Sequence, residues 1–375
     1  MLPYGHQSID DSDVEAVTRV LRGDWLTTGP AVAEFEEALQ AYVKAPRVVT
    51  ATSGTAALHM AYAALGVGPG DEVVTTPMTF VATASCATAL GATVRFADIE
   101  PDTANIDPDA VEALLTERTK VVAPVDYAGQ PAAIDAINEL AHSRGIVTVE
   151  DAAHSIGSLV GDRPVGSIAD VTTFSFFPTK NMTTAEGGAV ATLDPALGQR
   201  VHEFHFIGLV RDRHRLRHPD EGPWHQEVHH WGLNYRLSDV HCALGLSQLK
   251  RLQAFKERRA ELFERYQDAF AGVEGLGAHG VREGVDPTWH LYPVRIRDGR
   301  RREVFERLRS AGIGVQVNYM PVYWHPLYAD AGYRRGLCPN AEAFYAEELS
   351  LPMFADLTND EQDRVIETLL EIVGS

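Results

Sequence analysis

The sequence predicts an α/β protein: a sheet with helices on its faces, followed by a smaller unit of different pattern. Three observations lead there. The 375 residues exceed what one simple core organises. From residue 47 to 192, short apolar runs alternate with helical periodicity, the pattern of strands joined by crossover helices. Beyond residue 271 that rhythm changes.

RVVTA (47–51) reads as a strand and Thr55 to Leu65 as a helix. DEVVTT (71–76), helix-like FVATASCATAL (80–90) and the strand ATVRFADI (92–99) follow. Asp107 can cap the helix PDAVEALL. KVVAPV (120–125) is a strand, and AAIDAINELAHSRG (132–145) a helix closed by Gly145. IVTVED, VTTFSF and GGAVATL are three further strands. Residues 200–235, polar and rich in His and Arg, read as a long functional loop or excursion. Residues 236–271 read as one or two long helices with a charged face. Then come a strand HLYPVRI (290–296), a helix REVFERLRSAG (302–312), a strand IGVQVNY (313–319) and a terminal helix NDEQDRVIETLLEIV. The expected division is 1–250 for the large domain and 251–375 for the smaller one.

Hydrophobic residues make up 45% and charged residues 23%, enough apolar material for a sizeable core. With 33 Lys and Arg against 52 Asp and Glu, the net charge is -19. Such a surface repels nucleic acid and anionic membrane, so neither is expected as a partner. An anionic substrate would need its own local donors. Cys86, Cys242 and Cys338 are far apart and odd in number, which argues against a disulfide framework or thiolate metal site. The first residues lack a basic–apolar leader pattern and no run of 18 apolar residues occurs, so a cytoplasmic location is expected. His202, His205, His225, His229 and His230 could gather, but without HExxH or a paired acid no metal is expected. GVGPGD (66–71) lacks dinucleotide-binding spacing and is a turn.

There are five lysines, and Lys44, Lys120, Lys250 and Lys256 have bland settings. Lys180 differs: it follows FSFFPT at the carboxyl end of an apolar strand and precedes TTAEGG. Ligands of α/β sheets bind at such strand ends, and an amine held there can lose its proton and attack a carbonyl. A solvated loop lysine is the alternative, and the company Lys180 keeps decides against it. Pyridoxal phosphate needs an amine for its aldehyde, a carboxylate for its ring nitrogen, donors for its phosphate and a face for its ring. Asp151 ends the strand of IVTVEDAAHS and can hold the ring nitrogen, while His154 can reach the ring hydroxyl. On local pattern alone Asp151 is equally a helix cap. Glu150 competes for its role, but strand alternation sends it the other way. Gly54 and Thr55 in TSGTAALHMA can offer backbone N–H groups to phosphate, or simply start a helix. Ser175 in TFSFF can add a hydroxyl, and Phe80 in PMTF can cover the ring or pack in the core.

Taken together, DWLTTGPAVAEFE, TSGTAALHMA, DEVVTTPMTFVATA, PVDYAGQP, VEDAAHSIG, FSFFPTKNMTTAEGGAV, GLNYRLSDVHCALGLSQL and LSLPMF resemble the DegT-type sugar aminotransferases of fold type I over almost the whole length. That resemblance implies a large, mostly parallel sheet domain and a smaller C-terminal α/β domain. It implies that Lys180 carries the cofactor, Asp151 pairs with the ring nitrogen, His154 neighbours the ring hydroxyl, and Gly54, Thr55 and Ser175 bind phosphate. Asn234 resembles an asparagine that serves the neighbouring subunit's phosphate, in a homodimer with shared active sites. Glutamate is the implied donor. YGHQSID, DWLTTGP, TTAEGG and GLSQL look most like enzymes that aminate C4 of a UDP-linked 4-keto-6-deoxy-N-acetylhexosamine on the path to pseudaminic acid. Thr27 and Thr28 are then candidates for the sugar pocket, Arg236 and the arginines of 211–217 for the nucleotide phosphates, and Tyr319 and His325 for the sugar. Two departures stand out: Asp126, where a histidine is usual, and the His-rich stretch 202–230. A 3-aminotransferase or cyclitol aminotransferase would share the scaffold. A non-turning-over PLP sensor is opposed by the presence of Lys180, Asp151 and His154. Related deoxysugar dehydratases carry histidine where this chain has Lys180.

Overall fold

The computed structural model describes residues 1–374. Seven strands form the main sheet: β1 (Arg47–Ala51), β2 (Glu72–Thr75), β3 (Thr93–Phe96), β4 (Thr119–Ala123), β5 (Val147–Asp151), β6 (Val171–Ser175) and β7 (Gly188–Thr192). Their order is β1-β7-β6-β5-β4-β2-β3. From β3 to β6 all neighbours run parallel, while β7 is antiparallel to both β1 and β6. Side chains alternate between the two faces of the sheet. Val49, Val73, Val121 and Val149 pack with Ala57, Met60 and Ala61 of the helix Gly54–Ala64. Val74 and Val122 face the other way, onto Ile137 and Ala141 of the helix Ile134–His142, and Val48 joins Phe35 and Leu39 of the helix Pro30–Val43. Covering both faces explains why these strands read as nearly continuous apolar runs.

A separate apolar core lies in the C-terminal part. Helices Leu252–Phe270, Arg301–Ser310 and Asn359–Gly374 contribute to it around a three-stranded antiparallel sheet of Leu276–Gly277, Tyr292–Ile296 and Glu348–Leu351. Leu2 is part of this core. Its N–H donates to Gly312 O at 2.8 Å, its carbonyl accepts from Gly314 N at 2.8 Å, and Met353 N donates to Tyr4 O at 3.2 Å. Among the described residues no helix is long and apolar enough to cross a membrane.

Asp107 caps the helix Pro108–Glu112, accepting from Asp109 N at 2.9 Å. The charged stretch after residue 236 forms two helices, Asp239–Leu249 and Leu252–Phe270, the first capped by Ser238. Two expectations need correction. IGVQVNY is not a strand: only Ile313 and Gln316 make isolated bridges, to Leu2 and Ser350. Its alternation records one buried side, without the continuous partner a ladder requires. The stretch 200–235 is not all loop. Its start lies in the helix Pro195–His205, capped by Asp194, and the rest forms an arm closed by pairing of Leu209–Val210 with Glu227–Val228.

Candidate active site

The carboxyl ends of β1, β5 and β6 converge on a cavity of about 490 Å³, a size that suits a cofactor and a small substrate. Asp151 enters it as the last residue of β5, and Ser175 as the last of β6. After Ser175 the chain turns, with Lys180 N donating to Phe177 O at 2.9 Å, and delivers Lys180 to the same space. Loss of water around its ammonium pulls the Lys180 pKa down to about 8, with the Asp151 charge opposing the shift.

Asp151 is held from two directions. Thr83 Oγ1 donates to Oδ2 at 2.7 Å, and Ala153 N to Oδ1 at 3.1 Å. Burial raises its pKa, and these bonds together with Lys180 pull it back. Glu150 turns to the opposite face, where Thr172 Oγ1 donates to it at 3.1 Å, as strand alternation requires. His154 is buried, with Nε2 3.2 Å from the Tyr319 hydroxyl and the two rings nearly parallel at 21°. Burial and the nearby Lys180 charge hold its pKa well below the ordinary value, so the imidazole is neutral.

The helix Gly54–Ala64 begins at the cavity, capped by Ser53, whose hydroxyl accepts from Ala56 N at 3.1 Å. The first N–H groups of a helix lack intrahelical partners and favour an anion. A Cβ on Gly54 would lie 2.8 Å from Ser175 Cβ, so only glycine lets this helix start rest on Ser175. Phe80 sits on the cavity wall with 60% of its surface exposed, and Tyr319 lies 6.4 Å away between ring centroids. An amine, a carboxylate, an unpaired helix start beside a hydroxyl, and open aromatic faces form a donor set that fits pyridoxal phosphate.

Tyr319 also lines this cavity; the other expected substrate residues do not. Asn234 is exposed, on a segment whose next residue, Tyr235, accepts from Thr52 N at 2.9 Å. Thr27 and Thr28 are exposed, Thr27 bridging Ser238. Arg236 lies over the Phe206 ring at 4.3 Å, with Nε and Nη1 unpartnered, and Arg211 lies over the same ring at 4.8 Å. Arg213 donates to Pro219 O, and Arg215 to Glu203. His325 begins the short helix Pro326–Asp330 away from the cavity. His225 and His229 both turn onto Glu227, at 3.2 and 2.6 Å.

Sequence reasoning missed two residues of the site. Thr83 was visible in principle: four residues after Thr79, to whose hydroxyl it bonds at 2.8 Å, it shares a face at the start of the helix Ala82–Ala89. His290, on the cavity wall with its ring centroid 4.3 Å from that of His154, had no local signal. It arrives from the far part of the chain.

Comparison with known proteins supplies a family. The model of the DegT/DnrJ/EryC1/StrS aminotransferase family matches residues 7–370. The spore coat polysaccharide biosynthesis protein SpsC of Bacillus subtilis is 40% identical, covering 99% of this chain and 97% of that protein. The UDP-4-amino-4,6-dideoxy-N-acetyl-beta-L-altrosamine transaminase of Campylobacter jejuni is 38% identical, with 100% and 98% covered. Among solved structures, Spr1654 of Streptococcus pneumoniae in its PMP form superposes with a TM-score of 0.94 at 32% identity, covering 100% of this chain and 99% of that one. PseC of Helicobacter pylori, an aminotransferase involved in the biosynthesis of pseudoaminic acid, gives 0.93 at 32% identity, with 100% and 99% covered. With nearly its whole length matched, the chain is a fold type I protein of the DegT/DnrJ/EryC1/StrS aminotransferase family.

Proposed function

We propose that this enzyme moves an amino group from glutamate, by way of pyridoxal phosphate, to C4 of a UDP-linked 4-keto-6-deoxy amino sugar, and that it works as a homodimer with shared active sites. The observation that carries the reading is the convergence of Lys180, Asp151, His154, Ser175 and the start of the helix Gly54–Ala64 on one cavity. Spr1654 has been solved in PLP and PMP forms, and the Campylobacter jejuni relative is a transaminase of a UDP-linked 4-amino sugar. The cofactor supplies an electron sink for the carbon that loses its proton.

The chain's own groups do the rest. Asp151 would hold a proton on the ring nitrogen, its carboxylate kept aimed by Thr83 and Ala153 N. The helix start at Gly54 and Thr55, with Ser175, would bind the phosphate. Phe80 would offer a face to the ring. Neutral His154, steadied by Tyr319, offers a hydrogen bond without a competing charge. Lys180 Nζ would hold the cofactor between turnovers and, when free, would move the proton to and from the substrate carbon; with its pKa lowered to about 8, a useful fraction of the free amine is neutral near physiological pH. The substrate's two phosphates then find their cations outside this cavity, whose wall includes no arginine. Arg236 and the arm 211–217 of the neighbouring copy are the candidates, with Thr27, Thr28, Tyr319 and His325 for the sugar.

The test is to supply purified enzyme, PLP and glutamate with a 4-keto and, separately, a 3-keto nucleotide sugar, and to solve the products by NMR. Amination at C4 of the first is expected. Turnover of only the 3-keto compound, or only of an unlinked cyclitol ketone, removes the substrate assignment and leaves the aminotransferase in place.

Support for sharing across the dimer comes from exposed apolar residues on the segments that adjoin Asn234 and Ser238. Residues 25–28 adjoin 238–239 through the Thr27–Ser238 bridge, and 206–207 adjoin 234 through the Phe206–Asn234 bridge. Trp25, Leu26, Ile207 and Leu233 are all exposed there, and Trp231 is 94% exposed. A surface this apolar needs a partner. A mixed dimer of Lys180→Ala and Asn234→Ala chains should recover one working site per dimer. No recovery, or an active monomer in light scattering, argues against sharing.

A further inference from the structure

Behind Asp151, on the opposite face of the sheet, lie two carboxyl groups that the proposed chemistry does not use. β4 and β5 are parallel, with Val121 opposite Val147 and Val122 opposite Thr148. Further along, Val125 bridges Asp151, and Asp126 N donates to the Asp151 carbonyl at 3.1 Å. Counting in twos along both strands puts Asp126 and Glu150 on one face, the face from which Asp151 turns away. Both are fully buried. Carboxyl charges act on both: Asp151 on Asp126, and Asp126 and Asp151 on Glu150. The hydrogen-bond donors to their side chains are neutral: Thr172 from β6, Ser155 from the turn after β5, and the backbone N–H of Ala132.

Two buried carboxylates with no cation beside them cannot both stay ionised. The hydrogen bonds say which one gives way. Asp126 is built to be an anion: Ala132 N donates to Oδ1 at 2.9 Å and Ser155 Oγ to Oδ2 at 2.5 Å. Glu150 has one donor, Thr172 Oγ1 to Oε2, and its Oε1 is buried with no partner. A bare buried oxygen is where a proton belongs.

We propose that Glu150 keeps its proton while Asp126 is ionised, and that Asp126 is a positioning residue whose charge, behind Asp151, helps to hold the proton on the cofactor's ring nitrogen. This rests on the cofactor site proposed above. Burial, opposed by the Ser155 and Ala132 bonds, pushes Asp126 up to about 7, and pushes Glu150 well above the carboxylate range with the Asp126 charge adding to the shift. Asp126 is therefore poised, and a positive ring nitrogen in the cavity draws it to the ionised form.

Two measurements test this. Infrared difference spectra of the cofactor-free protein, wild type minus variant, are taken at mildly alkaline pH, above the value of about 7 for Asp126. The carbonyl stretch of a protonated carboxyl should appear in the Glu150→Gln difference and be absent from the Asp126→Asn difference, while the buried Glu348 carboxyl, raised to about 8, cancels in both. A band in the Asp126→Asn difference with none in the Glu150→Gln difference overturns the assignment. In the PLP-loaded enzyme without substrates, 15N NMR of ring-labelled cofactor reports the ring nitrogen. Asp126→Asn should lower the pH at which that nitrogen loses its proton by about one unit, a tenfold drop in proton affinity, while Glu150→Gln should leave it in place. Ser155→Ala, which removes one donor to Asp126 and covers a failure of Asp126→Asn to fold, should give an intermediate shift. A ring nitrogen that titrates alike in wild type, Asp126→Asn and Ser155→Ala overturns the role of Asp126. A protein that binds no PLP would defeat the cofactor reading but leave the infrared result standing, so the two failures are distinguishable.

Discussion

Lys180→Ala is expected to abolish transamination, with kcat falling roughly ten-thousandfold or more. Nζ of Lys180 supplies the amine of the cavity, whose wall includes no other lysine, so the variant loses both the cofactor's anchor and the proton shuttle. Borohydride treatment of the wild type should fix the cofactor on a peptide containing Lys180. Label on Lys44, Lys120, Lys250 or Lys256 would overturn the assignment. The fold should survive, and cofactor-free stability should rise. The Lys180 pKa is about 8 in the folded state against the ordinary 10.5. Between those values the unfolded chain binds more protons, so stability rises with pH there. Below pH 8 the folded state carries the whole cost of the desolvated cation. The gain in melting temperature of Lys180→Ala over wild type should therefore be largest near pH 7 and fade as pH climbs from 8 to 10.5.

For Asp151→Asn the expectation is a protein that still takes up PLP and still absorbs in the visible, with kcat lower by about a thousandfold. Thr83 Oγ1 and Ala153 N both donate to this side chain. These donors reach different oxygens, and an asparagine keeps only one, so its NH2 takes the place of the other; an amide N–H aimed at the ring nitrogen favours the unprotonated ring. The electron sink is lost while binding is kept, so kcat should fall much more than the KM for glutamate rises. Stopped-flow measurement of the glutamate half-reaction separates the two. Near-normal turnover would transfer the role to another acid, and Glu150, on the far face, would have to reach it through a rearranged strand.

What was legible in the sequence follows from the range of the interactions involved. Strands of the main sheet were readable because helices cover the sheet on both faces, which leaves each strand a nearly unbroken apolar run. Asp151 was readable because a strand end fixes where its last side chain points, and Lys180 because it follows the end of an apolar strand by only a short turn. Gly54 with Ser175 was a weaker signal: the 2.8 Å approach that demands glycine joins residues 121 positions apart (175 minus 54). His290 could not be found, because its value comes only from lying against His154. IGVQVNY misled because alternation measures burial, and there the missing partner is distant in sequence. Within 200–235, the polar His and Arg content hid a helix whose inner face, with Leu197 and Val201 buried, is narrow.

The stitching of residues 2–4 to 312–314 and 353 has a consequence for how the protein is made. Synthesis proceeds from one end, and contacts separated by about 310 positions are the slowest to close. Val49, Val149 and Val190 are all in place before residue 200, so the sheet can assemble while the ribosome is still adding the arm. Tyr4, on the cavity wall, waits beside it for Gln316, Asn318 and Tyr319. During that interval Lys180 and Asp151 stand in an open groove, and the cavity gains its last wall only when some 320 residues have left the exit tunnel. Competence to hold the cofactor tightly is thus delayed until translation is nearly complete.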